Sequence, residues 1–567
     1  METQKDKGIR RPTWRELLIL LPFAFAYAFF IVLGDWQRSV PYSNLQNMGR
    51  LLLWMLLSYG VLLLFCFLID NRTALADRVP VTVQPFLRKC LFTGAERQGH
   101  WWIWLIFFLI CLLCYLPYYL MYFPTWFNND AVWQMEQALG LAARSNHHPY
   151  FHTLIIKVFL TVGYGLFGNY TAAVALYTFF QMALMAAVFG FYLYLLYRKG
   201  TRLLWFALAV FFYALLPVNA MLSICMGKDA WFTAALLLFI WAVLECTATD
   251  VAKKKQWVLF YMTGLAVCLL RSNGIFIFLG TAFILILSRL LGKGRGISPE
   301  RAHVARQRLF FSVAMVLLSY LLWQGLILKA LKVEPPDTIE SLAMPTQHLL
   351  CAYVRGGSLT EEEVAMLEAV VPLAEIDEYY NPYLFDMTKN YIREHGNQEV
   401  IAKNRRAYAK LWLRVGLRNP MQYLEAEIRQ TAGYYALHTP HDQYIYTEYY
   451  MVDNPFGIET ERKVFTYDDS LAMSEFLQRF QALYNRVWNL GASTWLLLLG
   501  LAYTLYRRRN ALVYVPCLML LGSLLLATPV YNEFRYAYGV FAALPFLLAY
   551  SFGSVILSEG DTDEKMV

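Results

Sequence analysis

Five short polar clusters interrupt the long apolar runs of this 567-residue sequence, and their side chains are those of acid–base and phosphate chemistry. The clusters are Asn128-Asn129-Asp130 with Gln134, His147-His148, Lys228-Asp229, Arg271 with Asn273, and Glu533-Phe534-Arg535-Tyr536. A carboxylate beside a bound hydroxyl can act as a general base. Guanidinium groups bind phosphate through charge and bidentate geometry. Together these residue types indicate group transfer from a lipid-phosphate donor, provided that the fold brings them together.

The elements that must position these clusters are membrane-spanning helices. Hydrophobic residues make up 58% of the chain and charged residues only 16%, against about 45–50% and about 25% in soluble domains. Many apolar runs approach the length needed to cross ~30 Å of hydrocarbon. Twelve spans are predicted, near 17–33, 50–69, 101–122, 170–197, 203–222, 228–246, 256–270, 274–291, 309–331, 487–506, 511–530 and 537–557. The sequence therefore predicts an all-α polytopic membrane protein with about 12 transmembrane helices.

The charge distribution predicts the orientation of these spans. Residues 332–486 contain 15 Lys and Arg against 23 Asp and Glu, whereas the rest of the chain contains 34 against 18. With the N-terminus in the cytoplasm, every strongly basic short loop also lies there, as the positive-inside rule requires. Both termini are then cytoplasmic, and all five clusters and the insertion 332–486 face the outside of a cell membrane. This pattern reflects topology and does not indicate a nucleic-acid partner.

Residues 128–168 fit this scheme only if they do not cross the bilayer. The stretch 150–168 is apolar but carries His152, Lys157 and three glycines. If it were a span, every later basic loop would lie outside. We therefore predict interfacial or amphipathic helices on the outer face.

The insertion 332–486 has the length of a small domain. We predict helices over 360–371, 398–417 and 421–437, and a loop rich in Tyr over 444–453. Glu340, Gln347 and His348 lie at its start, near the expected site. Its surface suits carbohydrate contact, and it equally suits a simple cap over the membrane core.

Familiar soluble-enzyme and metal motifs are missing from the sequence. It contains no GxxxxGK[ST], HExxH or GxSxG pattern. Cys111 and Cys114 have CxxC spacing but lie inside an apolar run, where packing thiols are expected. The nine cysteines imply no disulfide framework.

Four of the polar clusters, all except Lys228-Asp229, together with Met344-Pro345-Thr346-Gln347-His348, resemble motifs of the GT-C superfamily of membrane glycosyltransferases, which includes protein O-mannosyltransferases and aminoarabinose transferases. The resemblance is to a bacterial branch of that group and runs from about residue 100 to 557. It implies a two-helix addition with a cytoplasmic loop over 1–100, a transmembrane core over 101–331 whose outer loop 123–168 is catalytic, the insertion 332–486, and C-terminal helices with a short acidic cytoplasmic tail over 487–567.

The resemblance also implies an activity and residue roles. Enzymes of this group transfer a sugar from a polyprenyl-phosphate-linked donor on the extracytoplasmic side, here to a cell-surface glycan, lipid or protein. By position, Asp130 would be the base of an inverting transfer, and Arg271, Arg535 and Lys228 would bind the donor phosphate. Candidate substrate contacts are Asn129, Gln134, His147, His148, Asn273, Glu340, Gln347, His348, Glu533 and Tyr536. Asn128 and Asn129 precede Asp130, whereas relatives often have adjacent paired acids in this loop; this difference disfavours a divalent metal. No other cofactor is implied.

Two other classes of function remain open. Twelve spans are common in secondary transporters and flippases, although no paired broken helices are evident and ionisable residues gather at one face rather than at the midplane. A non-catalytic protein of cell-envelope polymer assembly would use the insertion for docking. A carboxylate and arginines around one cleft would favour the enzyme.

Overall fold

The computed structural model describes residues 9–36, 45–76, 97–248, 253–291, 299–437, 454–458, 464–479, 489–527 and 530–552. These residues are mostly helical, and only isolated β-bridges occur among them. The helices before the insertion are α1 (Trp14–Trp36), α2 (Leu45–Asp70), α3 (Trp101–Met121), α4 (Asn129–Leu139), α5 (Tyr150–Phe167), α6 (Tyr170–Arg198), α7 (Leu203–Ile224, with a π-helical turn Phe211–Leu215), α8 (Lys228–Ala248), α9 (Lys254–Leu270), α10 (Gly274–Leu291) and α11 (Pro299–Leu322, continued through Trp323–Ile327 to Leu328–Ala330).

The insertion and the C-terminal region are also helical. Their main helices are α12 (Ala343–Val354), α13 (Glu361–Glu368), α14 (Phe385–His395), α15 (Arg405–Arg418), α16 (Pro420–Thr431), α17 (Tyr467–Arg479), α18 (Leu490–Tyr506), α19 (Val515–Ala527) and α20 (Phe534–Ser551).

The chain is an all-α, multi-pass membrane protein. Among the described residues, nine helices have the length and composition to cross a bilayer, and two shorter apolar helices follow the insertion. The nine include α5, so its predicted place on the outer surface stays a prediction. They do not include α9 or α20, which the sequence also assigns as spans.

Local sequence sets the bounds of α4, the helix that carries Asp130. The Asn128 side chain caps the helix by accepting a 2.8 Å hydrogen bond from the Ala131 amide, and Gly140 ends it with a left-handed φ of 78°. Ala131 and Met135 are fully buried. Asp130 therefore lies in the first turn of a short helix that is anchored along one side.

A sharp turn between α9 and α10 positions Arg271. Gly274 begins α10, and a Cβ atom there would lie 1.9 Å from the carbonyl oxygen of Val267. Only glycine permits this approach of the two helices, because any side chain would overlap the backbone.

The insertion has its own apolar core, which includes Leu350, Phe385 and Leu411. The predicted helix at 360 is confirmed, with a capping box between Thr360 and Glu363. The predicted helix 398–417 is wrong as one element. It breaks at Asn404, whose side chain bonds the Val400 carbonyl and competes with helix propagation.

Hydrogen bonds to the segment after α16 tie the insertion to the membrane helices. The predicted helix 421–437 begins at Pro420 and ends at Thr431, and a 3₁₀ turn, Ala432–Tyr434, follows. The Thr494 hydroxyl and the Trp495 indole of α18 donate to the carbonyls of Tyr434 and Tyr435. The predicted loop 444–453 lies outside the described residues.

The Gly274 turn provides a stability test. We expect Gly274→Ala to force α9 and α10 apart at a cost of about 1–3 kcal/mol, the usual range for overpacking. The measurement is the thermal midpoint in detergent. Gly60→Ala is the matched control, because nothing lies within 4 Å of a Cβ there. Equal midpoints for the two variants would contradict the tight turn.

Candidate functional site

Asp130, Lys228 and His148 form the centre of the site. The Lys228 ammonium donates to Asp130 Oδ2 at 2.8 Å and to His148 Nδ1 at 3.2 Å. His148 Nε2 lies 3.7 Å from Asp130 Oδ1. Because the lysine donates to Nδ1, the ring proton belongs on Nε2, which faces the carboxylate. Three separate segments of the chain thus meet at one carboxylate.

Arg535 extends this centre toward the last helix. Its Nη1 lies 3.7 Å from Asp130 Oδ2 and 3.9 Å from Asp229 Oδ2, and its Nε donates to Glu533 Oε1 at 2.9 Å. The predicted meeting of Asp130 and Arg535 is therefore confirmed, although about four hundred residues separate them in the chain.

Arg271 lies behind this layer. It donates to Asp229 Oδ1 at 3.0 Å and lies 4.5 Å from the Tyr536 ring and 5.4 Å from the Phe232 ring. Its connection to Asp130 therefore runs through Asp229 and Arg535. No role is predicted for Asp229 from the sequence. Its position beside Lys228 at the end of a span is the sequence signal that could have indicated one.

The local electrostatics fix the protonation of the central groups. Burial alone would raise the pKa of Asp130, but the charges of Lys228 and Arg535, with the His148 ring beside them, outweigh it and hold this pKa well below its usual range. Burial and the charge of Lys228 lower the pKa of His148 well below that of an ordinary histidine. Asp130 is therefore anionic and His148 neutral near pH 7.

His147 joins the site to the start of the insertion. It contacts the rings of His148 and Trp133 at centroid distances of 4.6 and 5.6 Å, and its electrostatic neighbours include Glu340. Glu340 accepts from Lys389 at 3.1 Å. Backbone hydrogen bonds link residues 144–146 to 334, which fixes this junction.

Other predicted substrate contacts lie away from the centre. Gln134 is fully buried and bonds His152 and Thr153, so it positions α4 and does not face a substrate. Asn273 donates to the Ser523 hydroxyl at 2.8 Å. The Asn129 side chain lies outside the part of the chain that the structure describes.

Gln347 and His348 belong to the interior of the insertion. Gln347 is buried and donates to the Asn381 carbonyl at 2.9 Å. His348 bonds Glu427 and Trp412, each at 3.2 Å. These contacts hold α12 against α15 and α16, so the predicted contact of these two residues with a substrate at the Asp130 cluster is not supported.

Comparison with curated proteins and with solved structures finds no match to this chain. The profile of one protein family matches residues 142–554, a range that contains Lys228, Arg271 and Arg535 and begins after Asp130. Because this match covers well over half of the sequence, the chain belongs to DUF6020, a family of unknown function.

Proposed function

We propose that this protein is a membrane glycosyltransferase of the GT-C type. It moves a sugar from a polyprenyl-phosphate-linked donor to a cell-surface glycan, lipid or protein. The supporting observation is the single cluster in which Asp130 meets Lys228 and Arg535, because it combines a base with two phosphate-binding cations. Ionisable groups at the end of a membrane helix are costly, which favours a functional role.

The proposal includes twelve spans, cytoplasmic termini and an external insertion. Lys228 begins α8, whereas Lys253, Lys254 and Lys255 follow its other end. At 1.5 Å per residue, the 21 residues of α8 separate the two ends by about 30 Å, the thickness of the hydrocarbon layer. The positive-inside rule then places the lysines in the cytoplasm and the Asp130 cluster outside.

The chemical step is a single displacement. Asp130 takes the proton of the acceptor hydroxyl, whose oxygen attacks the anomeric carbon. The bond from that carbon to the donor phosphate oxygen breaks, and the phosphate leaves with the electron pair. Lys228 and Arg535 stabilise the charge on the leaving phosphate. Attack opposite the leaving group inverts the anomeric centre.

Donor binding activates the base in this proposal. While Lys228 bonds Asp130 at 2.8 Å, the carboxylate is a weak base because its pKa is low. A donor phosphate that attracts the ammonium draws it away, and the pKa of Asp130 rises toward its ordinary range. The base is then strong only when the donor is present.

The apolar interior of α8 supports a transporter less well than it supports the glycosyltransferase. Below its first turns, Phe232, Leu236, Ile240 and Val243 are at most 1% exposed. This helix therefore offers no run of polar groups along the membrane normal, which an ion or sugar path needs.

We expect Asp130→Asn to lower sugar transfer by about 10²–10⁴-fold, the usual contribution of a general base. The measurement is surface-glycan formation and accumulation of polyprenyl-linked sugar in a deletion strain that carries the variant. Glu136→Gln is the matched control, because it makes the same change on the same helix. Full transfer by the Asp130 variant at normal expression would remove this residue from the mechanism.

We expect Arg535→Gln to raise the apparent KM for the donor about 10–100-fold, because charge-assisted hydrogen bonds contribute about 1.5–3 kcal/mol. The KM for the acceptor should change little. Arg535→Lys keeps the charge but loses the bidentate geometry of the guanidinium. Its KM for the donor should therefore lie between those of the parent protein and Arg535→Gln. Equal changes in both KM values would contradict a role at the phosphate.

Lys228→Gln tests the activation of the base through its pH profile. Removal of the ammonium raises the pKa of Asp130, so kcat/KM should fall at a higher pH on the acid side than in the parent protein. The acid limb of kcat should move less, since the donor already occupies Lys228 in the parent complex. Lys157→Gln, an exposed change on α5, serves as the control. If the acid limb of the kcat/KM profile did not move in Lys228→Gln, the proposed effect of Lys228 on the pKa of Asp130 would be refuted.

A further inference from the structure

A second feature lies at the other end of α8, far from the Asp130 cluster. A cavity of 690 Å³ opens there between α6, α8 and the start of α9. Glu245 lines it and follows Lys228 by seventeen residues on one continuous helix, which places the cavity roughly 25 Å from the candidate site. The cavity is therefore separate from the proposed sugar transfer.

The rim of the cavity is cationic. The cavity is lined by three cations, Arg198, Lys253 and Lys255, and by one carboxylate, Glu245. That carboxylate already accepts a 2.6 Å hydrogen bond from Gln256. Among the lining residues, the charge balance therefore favours an anion.

The inner walls are apolar and aromatic. Phe191 and Trp241 lie edge to face with their centroids 5.7 Å apart, and Leu195 and Leu259 complete this surface. Arg198 ends α6 and Lys255 lies in the first turn of α9, so the cations mark the ends of membrane helices. Cations above an aromatic and aliphatic wall match a molecule with an anionic head and a hydrocarbon tail.

We propose that this cavity binds one anionic phospholipid. Its phosphate lies between Arg198 and Lys255, and an acyl chain follows Phe191 and Trp241 into the bilayer. Basic loops alone attract anionic lipids without fixed stoichiometry, whereas a walled cavity of this volume holds a single headgroup. The inference does not depend on the proposed glycosyltransferase activity.

The test uses the full chain in nanodiscs of phosphatidylcholine that contain a minor fraction of phosphatidylglycerol. Native mass spectrometry counts the phosphatidylglycerol molecules retained per chain. We expect Arg198→Gln/Lys255→Gln to reduce the singly occupied fraction at least tenfold. Lys199→Gln/Lys254→Gln removes equal charge from neighbouring positions that do not line the cavity, and it should retain the lipid as the parent does.

Three outcomes would overturn the proposal. In the first, the cavity variant retains phosphatidylglycerol as well as the parent. In the second, the neighbouring variant loses it equally, which would indicate general surface charge. In the third, inorganic phosphate at millimolar concentration displaces the lipid, which would mean that the cavity binds the bare anion. Arg198→Lys/Lys255→Arg keeps both charges and should retain binding, which excludes misfolding as the cause of a loss.

Discussion

The ion pair between Lys228 and Asp130 is the interaction on which the rest of the site depends. It joins α4 to the first turn of α8, and Lys228 is only 8% exposed. The free energy lost when such charges leave water is often larger than the free energy gained from their attraction. A buried ion pair is therefore poor evidence for stability. It persists only where further partners share the charge, as Arg535 and His148 do here. Removing any one member leaves its partners poorly compensated, so the cluster behaves as a unit.

A hydrogen-bond network of uncharged side chains next to the Asp130 cluster fixes the positions of the helices that carry the charged residues. The imidazole of His152 lies 2.9 Å from Gln134 and 2.7 Å from the Tyr177 hydroxyl. The Tyr177 hydroxyl also lies 2.8 Å from Gln181 Oε1 and accepts a hydrogen bond from the Trp231 indole. This network links α4, α5, α6 and α8 within a largely buried region, where hydrogen bonds are strong and the loss of one is costly. It explains why Asp130 has a defined position although it lies on a helix of only three turns.

Sequence could predict that the polar clusters share one end of the helices but not which side chains meet there. Apolar run lengths and basic loops predict Asp130 and Arg535 at the same end of the helices, and the structure brings them within 3.7 Å of each other. Neighbours along α8 diverge because adjacent helical residues point about 100° apart. Lys228 therefore pairs with Asp130, while Asp229 pairs with Arg271, and no local pattern reveals this division. His348 follows a span closely in sequence, but the insertion has a separate core that draws it inward.

The two ends of α8 differ in how they can accept an anion. In the Asp130 cluster, three carboxylates face three cations, so a phosphate can enter only by taking a cation from a carboxylate. In the proposed mechanism, phosphate binding rearranges the site, and the rearrangement frees a base. At the other end, the lining residues that the structure describes include three cations and one carboxylate, so their charge balance favours an anion. A balanced cluster suits chemistry that must wait for its substrate, whereas an excess of one charge suits lasting occupancy by a structural lipid.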